Sequence, residues 1–89
     1  DVVTLDMEFP EKAFKAAHKA LKPGGFLVVF APIIEQVSRF RGFLSEKHFA
    51  NVETDECILR PWHIEPPDKS RPSGHFLAHT GFLTFARRI

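Results

Sequence analysis

"DVVTLDMEFPEKAFKAAHKALKPGGFLVVFAP", residues 1–32, is the stretch that decides the fold. Val2, Val3, Thr4 and Leu5 are continuous and β-branched or apolar, which predicts a strand buried on both faces of a parallel sheet. From Pro10 to Leu21, Phe14, Ala17 and Leu21 fall on one helical stripe, with Ala13 and Ala20 on or beside it and Lys and His elsewhere. Glu11 opens this helix and Lys19 and Lys22 close it, as the macrodipole prefers. Pro23, Gly24 and Gly25 stop it, Gly24 serving as the left-handed cap. Phe26 to Ala31 form a second continuous apolar strand, ended by Pro32. Strand, helix and strand with short connections make a right-handed parallel crossover.

Asp6 stands where the first strand gives out. In open α/β sheets the carboxyl ends of the strands surround the crevice in which ligands bind. The same position suits a helix cap, since Pro10 fits a first helical turn and an acid near a helix start is favoured. Position alone leaves site and cap equally open.

Outward from this unit, Ile33, Val37, Phe40 and Leu44 recur at helical spacing and predict a second helix from Ile34 to His48. A third strand is expected from Val52 to Leu59 and a last one from Gly81 to Arg88. Between them, Pro61 to Gly74 carries four prolines and several charges, and it reads as a long loop with no core of its own. Two strand-helix units followed by two strands with no helix between them imply an α/β fold with an antiparallel pair at the end of a parallel sheet.

Eighty-nine residues allow one domain, and ten Phe with one Trp argue for a packed one. A net charge of +1 excludes a field that would draw the whole chain to nucleic acid or to an acidic membrane, so any basic patch is local. The single cysteine, Cys57, excludes an internal disulfide and fits a reducing compartment. No apolar run is long enough for a membrane span, and no signal-peptide pattern opens the chain. A strand that should be central to its sheet begins at once, so the chain is expected to be a piece of a longer one.

"LKPGG" before an apolar strand, "PIIEQV" at residues 32–37 and "HTGFL" at residues 79–83, with "ECILRPW" at residues 56–62, together resemble one family. It is the tRNA (adenine-N1)-methyltransferases of the TrmI type, which modify the T-loop adenine. The family's Asp-Leu-Pro-x-Pro-Trp phrase lies over Asp6 to Glu11. Pro10 is retained there, while Glu8 and Glu11 stand where the family commonly has Pro and Trp.

The resemblance implies that residues 1–89 are the carboxyl-terminal half of a Rossmann-like, seven-stranded, S-adenosylmethionine-dependent methyltransferase fold. It implies tRNA as partner and S-adenosylmethionine as cofactor, with the glycine-rich loop and ribose-binding acid upstream of Asp1, so that the cofactor site is incomplete in this chain. A homo- or hetero-oligomer with methyltransferase subunits is implied, with no membrane. The place is cytoplasmic, or nuclear for a eukaryotic catalytic subunit. A non-catalytic RNA-binding or assembly subunit, or a Rossmann-type methyltransferase with another substrate, are the alternatives.

Methyl transfer to N1 of adenine is largely the positioning of two partners in line. A carboxylate that accepts a hydrogen bond or proton from the exocyclic amine makes N1 a better nucleophile. The resemblance therefore turns the balance at Asp6 toward catalysis, with Asp6 and Met7 also meeting the cofactor. Glu35 and Gln36, at the start of a helix past the second strand tip, are candidates for a base edge or for holding the Asp6 loop, or else make an ordinary acidic helix start. Arg60, His79 and Thr80 are expected to line the substrate pocket; His79 and Thr80 read equally as turn residues before Gly81. Lys69, Arg71, Trp62 and Phe76 could hold and stack an RNA strand, or belong to a solvated loop. His75, His79 and Cys57 lack a helix to set metal-ligand spacing, so no metal site is expected. His18 and His48 read as surface or helix-end residues.

Overall fold

The computed structural model describes residues 1–44, 48–73 and 80–89. The strands are β1 (Val2–Asp6), β2 (Phe26–Ala31), β3 (Phe49–Cys57), β4 (Trp62–His63), β5 (Arg71–Pro72) and β6 (Gly81–Arg88). A 3-10 turn (Pro10–Ala13) leads into α1 (Phe14–Ala20), and α2 (Ile34–Leu44) follows β2. The main sheet has the order β1-β2-β6-β3. β1 and β2 run parallel, while β6 lies antiparallel to both β2 and β3. The expected parallel crossover and terminal antiparallel pair are thus both present, with the last strand inserted between the second and third.

The first helix is split, because Pro10 at its start is followed by a tight turn in which Lys12 N–H donates to the Phe9 carbonyl at 3.1 Å. α1 ends where Leu21 turns extended, and Gly24 takes a φ of +83°, which a residue with a Cβ resists. Gly24 N–H then donates to the Arg88 carbonyl, and Arg88 N–H to the Gly25 carbonyl, both at 2.9 Å, tying this turn to the end of β6.

The core is built from the helical stripes and one sheet face: Phe14, Ala17 and Leu21, Val37, Phe40 and Leu44, Leu27, Val29 and Ala31, with Phe49 and Ala86. Two expectations change here. Ile33 is 52% exposed, since α2 starts one residue later and Ile33 precedes the stripe. β1 is not buried on both faces either: Val3 and Leu5 pack against the core, but Val2 and Thr4 are exposed. Both helices pack on the face of Leu27 and Val29, so among the described residues no helix lies over the face carrying Val2, Phe26, Val28 and Phe30.

β3 runs from Phe49 to Cys57 rather than from Val52 to Leu59, because beyond a bulge between Ala50 and Glu53 two more residues, Phe49 and Ala50, join the ladder. Asn51 in the bulge has a φ of 54°, a conformation its short polar side chain tolerates. The proline-rich segment is not wholly loop: β4 and β5 form a short ribbon pairing Trp62 with Pro72 and His63 with Arg71. The ribbon has no core, and Ile58, Leu59, Trp62 and Ile64 on it and its approach are 55–68% exposed. Among the described residues no helix is long and apolar enough to cross a membrane.

Candidate active site

Register brings the candidates to one edge of the sheet. Asp6 pairs with Phe30, Ala31 with Phe82, and Cys57 with Gly81. The carboxyl tips of β1 and β2, the end of β3 and the start of β6 therefore meet. At Gly81 a Cβ would collide with the Phe30 ring, so the close approach between the β2 tip and β6 requires glycine.

Asp6 is exposed at this edge, and among the described residues its carboxylate takes no side-chain hydrogen bond or ion pair. The turn that follows is capped at Phe9, with no side-chain cap hydrogen bond, so helix capping does not occupy Asp6. Met7 and Phe9 are 43% and 40% exposed, whereas Pro10 is buried and pins the far end of the loop. Arg39 from α2 reaches the same loop: its Nε donates to Glu11 Oε2 at 3.0 Å and an Nη to the Glu8 carbonyl at 2.7 Å. Its guanidinium also lies 4.7 Å from the centre of the Phe9 ring.

Glu35 is exposed in the first turn of α2, and half-buried Gln36 donates its backbone N–H to the Ile33 carbonyl at 3.1 Å. Both sit just past the β2 tip, on the Asp6 edge. The Thr80 hydroxyl is already used, donating to the Cys57 carbonyl at 2.8 Å beside the backbone bond at 3.0 Å. Thr80 thereby braces the start of β6. Arg60 is exposed three residues beyond β3, on the approach to the ribbon. On the ribbon Arg71 pairs with Glu65 at 3.7 Å. His75, Phe76 and His79 lie outside the described residues. Among those described, no group of three or more His, Cys, Asp or Glu could hold a metal ion.

A cavity of about 770 Å³ opens at the opposite edge, lined by Lys15, His18, Lys19, Phe43, His48 and Arg88 among others. His18 and His48, expected as surface or helix-end residues, meet there with ring centres 4.9 Å apart, and His18 also abuts Phe49 at 5.6 Å. Partial desolvation, then the charge of Arg88 and then His48, lower the His18 pKa below 6.5. Arg88 pairs with Phe49 and bonds back to Gly25, which places this cavity at the amino-terminal ends of β1 and β2. Glu11, the partner of Arg39, also lines this cavity, whereas Asp6 stands at the strand-tip edge. The Arg39 contacts were missed in the sequence, because nothing periodic links residues 28 positions apart.

A family model described as "tRNA methyltransferase complex GCD14 subunit" matches residues 1–68. The chain is 40% identical over 89 residues to the tRNA (adenine(57)-N(1)/adenine(58)-N(1))-methyltransferase TrmI of Methanocaldococcus jannaschii, covering 98% of this chain and 31% of that protein. It is 35% identical over 88 residues to the tRNA (adenine(58)-N(1))-methyltransferase TrmI of Thermus thermophilus, covering 99% and 34%. Among solved structures, tRNA (m1A58) methyltransferase TrmI from Aquifex aeolicus superposes with a TM-score of 0.90 at 25% identity, over 99% of this chain and 35% of that one. A SAM-dependent O-methyltransferase from Thermotoga maritima superposes with a TM-score of 0.91 at 30% identity, over 100% and 33%. The chain spans about a third of the length of the curated relatives it matches.

Proposed function

We propose, for a chain that belongs to the tRNA methyltransferase complex GCD14 subunit family, that it forms the carboxyl-terminal part of a catalytic domain that methylates N1 of the T-loop adenine of tRNA. The observation that carries the reading is Asp6: a carboxylate at the carboxyl tip of a parallel strand, exposed and without a hydrogen-bond partner among the described residues. The sulfonium cofactor S-adenosylmethionine, when bound, supplies an electrophilic methyl group. Of this chain's residues, Asp6 and Met7 stand where they would meet it. A carboxylate without a partner among the described residues and an exposed thioether at a strand tip fit one wall of such a site.

In the reaction a bond forms from adenine N1 to the methyl carbon as the sulfur-carbon bond breaks, and positive charge passes to the adenine ring. Asp6 accepts a hydrogen bond from the exocyclic amine, raises the electron density at N1 and is placed to take the amine proton as charge develops. Glu35 and Gln36, past the neighbouring tip, are assigned to the base edge. Arg60 and His79 are assigned to the substrate, while Thr80 serves by bracing the β6 start. The exposed ribbon, with Ile58, Leu59, Trp62 and Ile64, offers an apolar surface for subunit contact in a homo- or hetero-oligomer. A tRNA-modifying chain of this kind works in the cytoplasm.

The test is single-turnover methylation of tRNA by the intact protein with saturating cofactor. Asp6→Ala and Asp6→Asn are expected to slow methyl transfer by on the order of a hundredfold, as loss of a positioned base does. Affinity for tRNA should persist, because phosphate contacts carry most of it. Full activity in Asp6→Asn with the fold intact would overturn the assignment and remove Asp6 from the chemistry.

A further inference from the structure

Asp6 is followed by a loop, Met7 to Phe9, that has no regular structure and little burial. Its far end is fixed by buried Pro10, and its middle is held by Arg39. We propose that Arg39 is a positioning residue that sets the place of Asp6 by latching this loop to α2. The inference rests on the reading of Asp6 as the catalytic carboxylate.

Three contacts of one side chain make the latch. Arg39 grips the Glu8 carbonyl at 2.7 Å, pairs with Glu11 at 3.0 Å and covers the Phe9 ring at 4.7 Å. A guanidinium presents its donors in a rigid planar fork and its flat face to a ring, a fixed geometry that the compact ammonium of a lysine lacks. The Glu11 side chain is only 13% exposed, and its Oε1 is buried with no hydrogen-bond partner among the described residues. Glu11 therefore depends on Arg39 for its compensation, and the pair has a reason to stay closed.

Two features join the latch to the site. Glu8 and Glu11 stand where the Asp-Leu-Pro-x-Pro-Trp phrase has its first Pro and its Trp, and Arg39 binds the main-chain carbonyl of the one and the carboxylate of the other. An ion pair here supplies the stiffness that a second proline and a large ring would otherwise give. Glu35 precedes Arg39 by four residues, so both project from one flank of α2, and a shift of that flank moves the Asp6 loop and the Glu35 edge together.

The experiment compares the intact protein with Arg39→Gln, Asp6→Asn and the double variant, by single-turnover methyl transfer at saturating tRNA and cofactor. Arg39→Gln is expected to slow the chemical step about tenfold, as misplacement of a catalytic group by a fraction of an ångström does, with tRNA and cofactor affinities held within about twofold. If Arg39 acts through Asp6, the double variant is no slower than Asp6→Asn alone. A purely structural arginine would multiply the two losses. Should Arg39→Gln fail to fold, Arg39→Lys decides: it keeps the charge beside Glu11 but not the simultaneous grip on Glu8, so a rate equal to wild type overturns the latch. A slow Asp6→Asn with multiplying or absent effects at Arg39 also overturns the latch and leaves the Asp6 reading standing. A fully active Asp6→Asn removes the Asp6 reading itself.

Discussion

Arg39 and Arg41 leave α2 two residues apart, about 200° around the helix, and meet opposite kinds of surroundings. Arg41 turns to the covered side of the sheet, donating to Thr54 Oγ1 at 3.1 Å and to the Val52 carbonyl at 3.4 Å. Thr54 in turn shares a hydrogen bond of 2.8 Å with Thr84, its cross-strand partner, which is fully buried. Arg39 turns to the open edge and holds a loop that the core does not reach. The difference separates two uses of one residue type. On the inner flank the guanidinium satisfies polar groups that burial would otherwise leave costly, so it serves stability. On the outer flank it fixes a loop whose exposed residues contribute little to folding, so it serves placement.

The largest expected effect would break the comparison by removing the platform both arginines stand on. Phe40 is fully buried, and its ring meets Phe14 edge-on at 5.9 Å. Phe40→Ala should cost about 3–5 kcal/mol, the range for truncating a core aromatic, as read from denaturant unfolding of the intact protein. Both flanks loosen in that variant, so loss of stability and loss of rate arrive together.

A smaller change sharpens the contrast. Arg41→Met keeps much of the aliphatic stem and removes the donors to Thr54 and Val52, for an expected loss of about 1–2 kcal/mol. Methyl transfer per folded molecule should stay at the wild-type rate. Thr84→Val removes one hydroxyl of the buried pair and should cost about 1 kcal/mol, again with rate unchanged. If either variant slowed the chemistry while retaining its fold, the two flanks would not be separable and Arg39 would lose its special place.

Much of this architecture was legible because it is written in runs and periods. The apolar runs of β1 and β2, the stripe Phe14, Ala17 and Leu21, and the stop at Pro23 to Gly25 each have a local cause, and each appears in the structure. Which face of β1 is covered was not legible, since a run of Val, Val, Thr and Leu reads alike whether one face or two are packed. The bulge at Asn51 and the ribbon at Trp62 and His63 depend on pairing partners distant in the chain, and short pairings leave no period. At the candidate site, Asp6 could be found by its place after a strand. Arg39 could not, because its partners Glu8 and Glu11 come near only when α2 packs on the 3-10 turn.

The smallest expected effect lies at the opposite edge, at His18, and it serves as the control for both flanks. His18 is half-buried, its ring stacked edge-on against His48 and Phe49 while Arg88 Nε donates to its backbone carbonyl at 2.7 Å. Desolvation first, then the positive charge of Arg88 and then His48, disfavour the imidazolium and lower its pKa from 6.5. With the folded-state value below the unfolded one, the unfolded chain binds the proton more readily in the region of pH 6.5 and below. Stability is therefore undiminished above pH 6.5 and declines as pH falls through the unfolded pKa toward the lower folded one. Thermal unfolding of the intact protein should show a midpoint drop on the order of one degree from this residue between pH 7 and pH 5.5. His18→Gln removes the titrating group, so the drop should be smaller in that variant, with other histidines common to both proteins cancelling in the difference. The methyl-transfer rate should be unchanged, since His18 and its partners His48, Phe49 and Arg88 lie at the amino-terminal ends of β1 and β2, away from Asp6. An equal pH response in the two proteins would mean that solvent reaches His18 well enough to cancel the neighbouring charges.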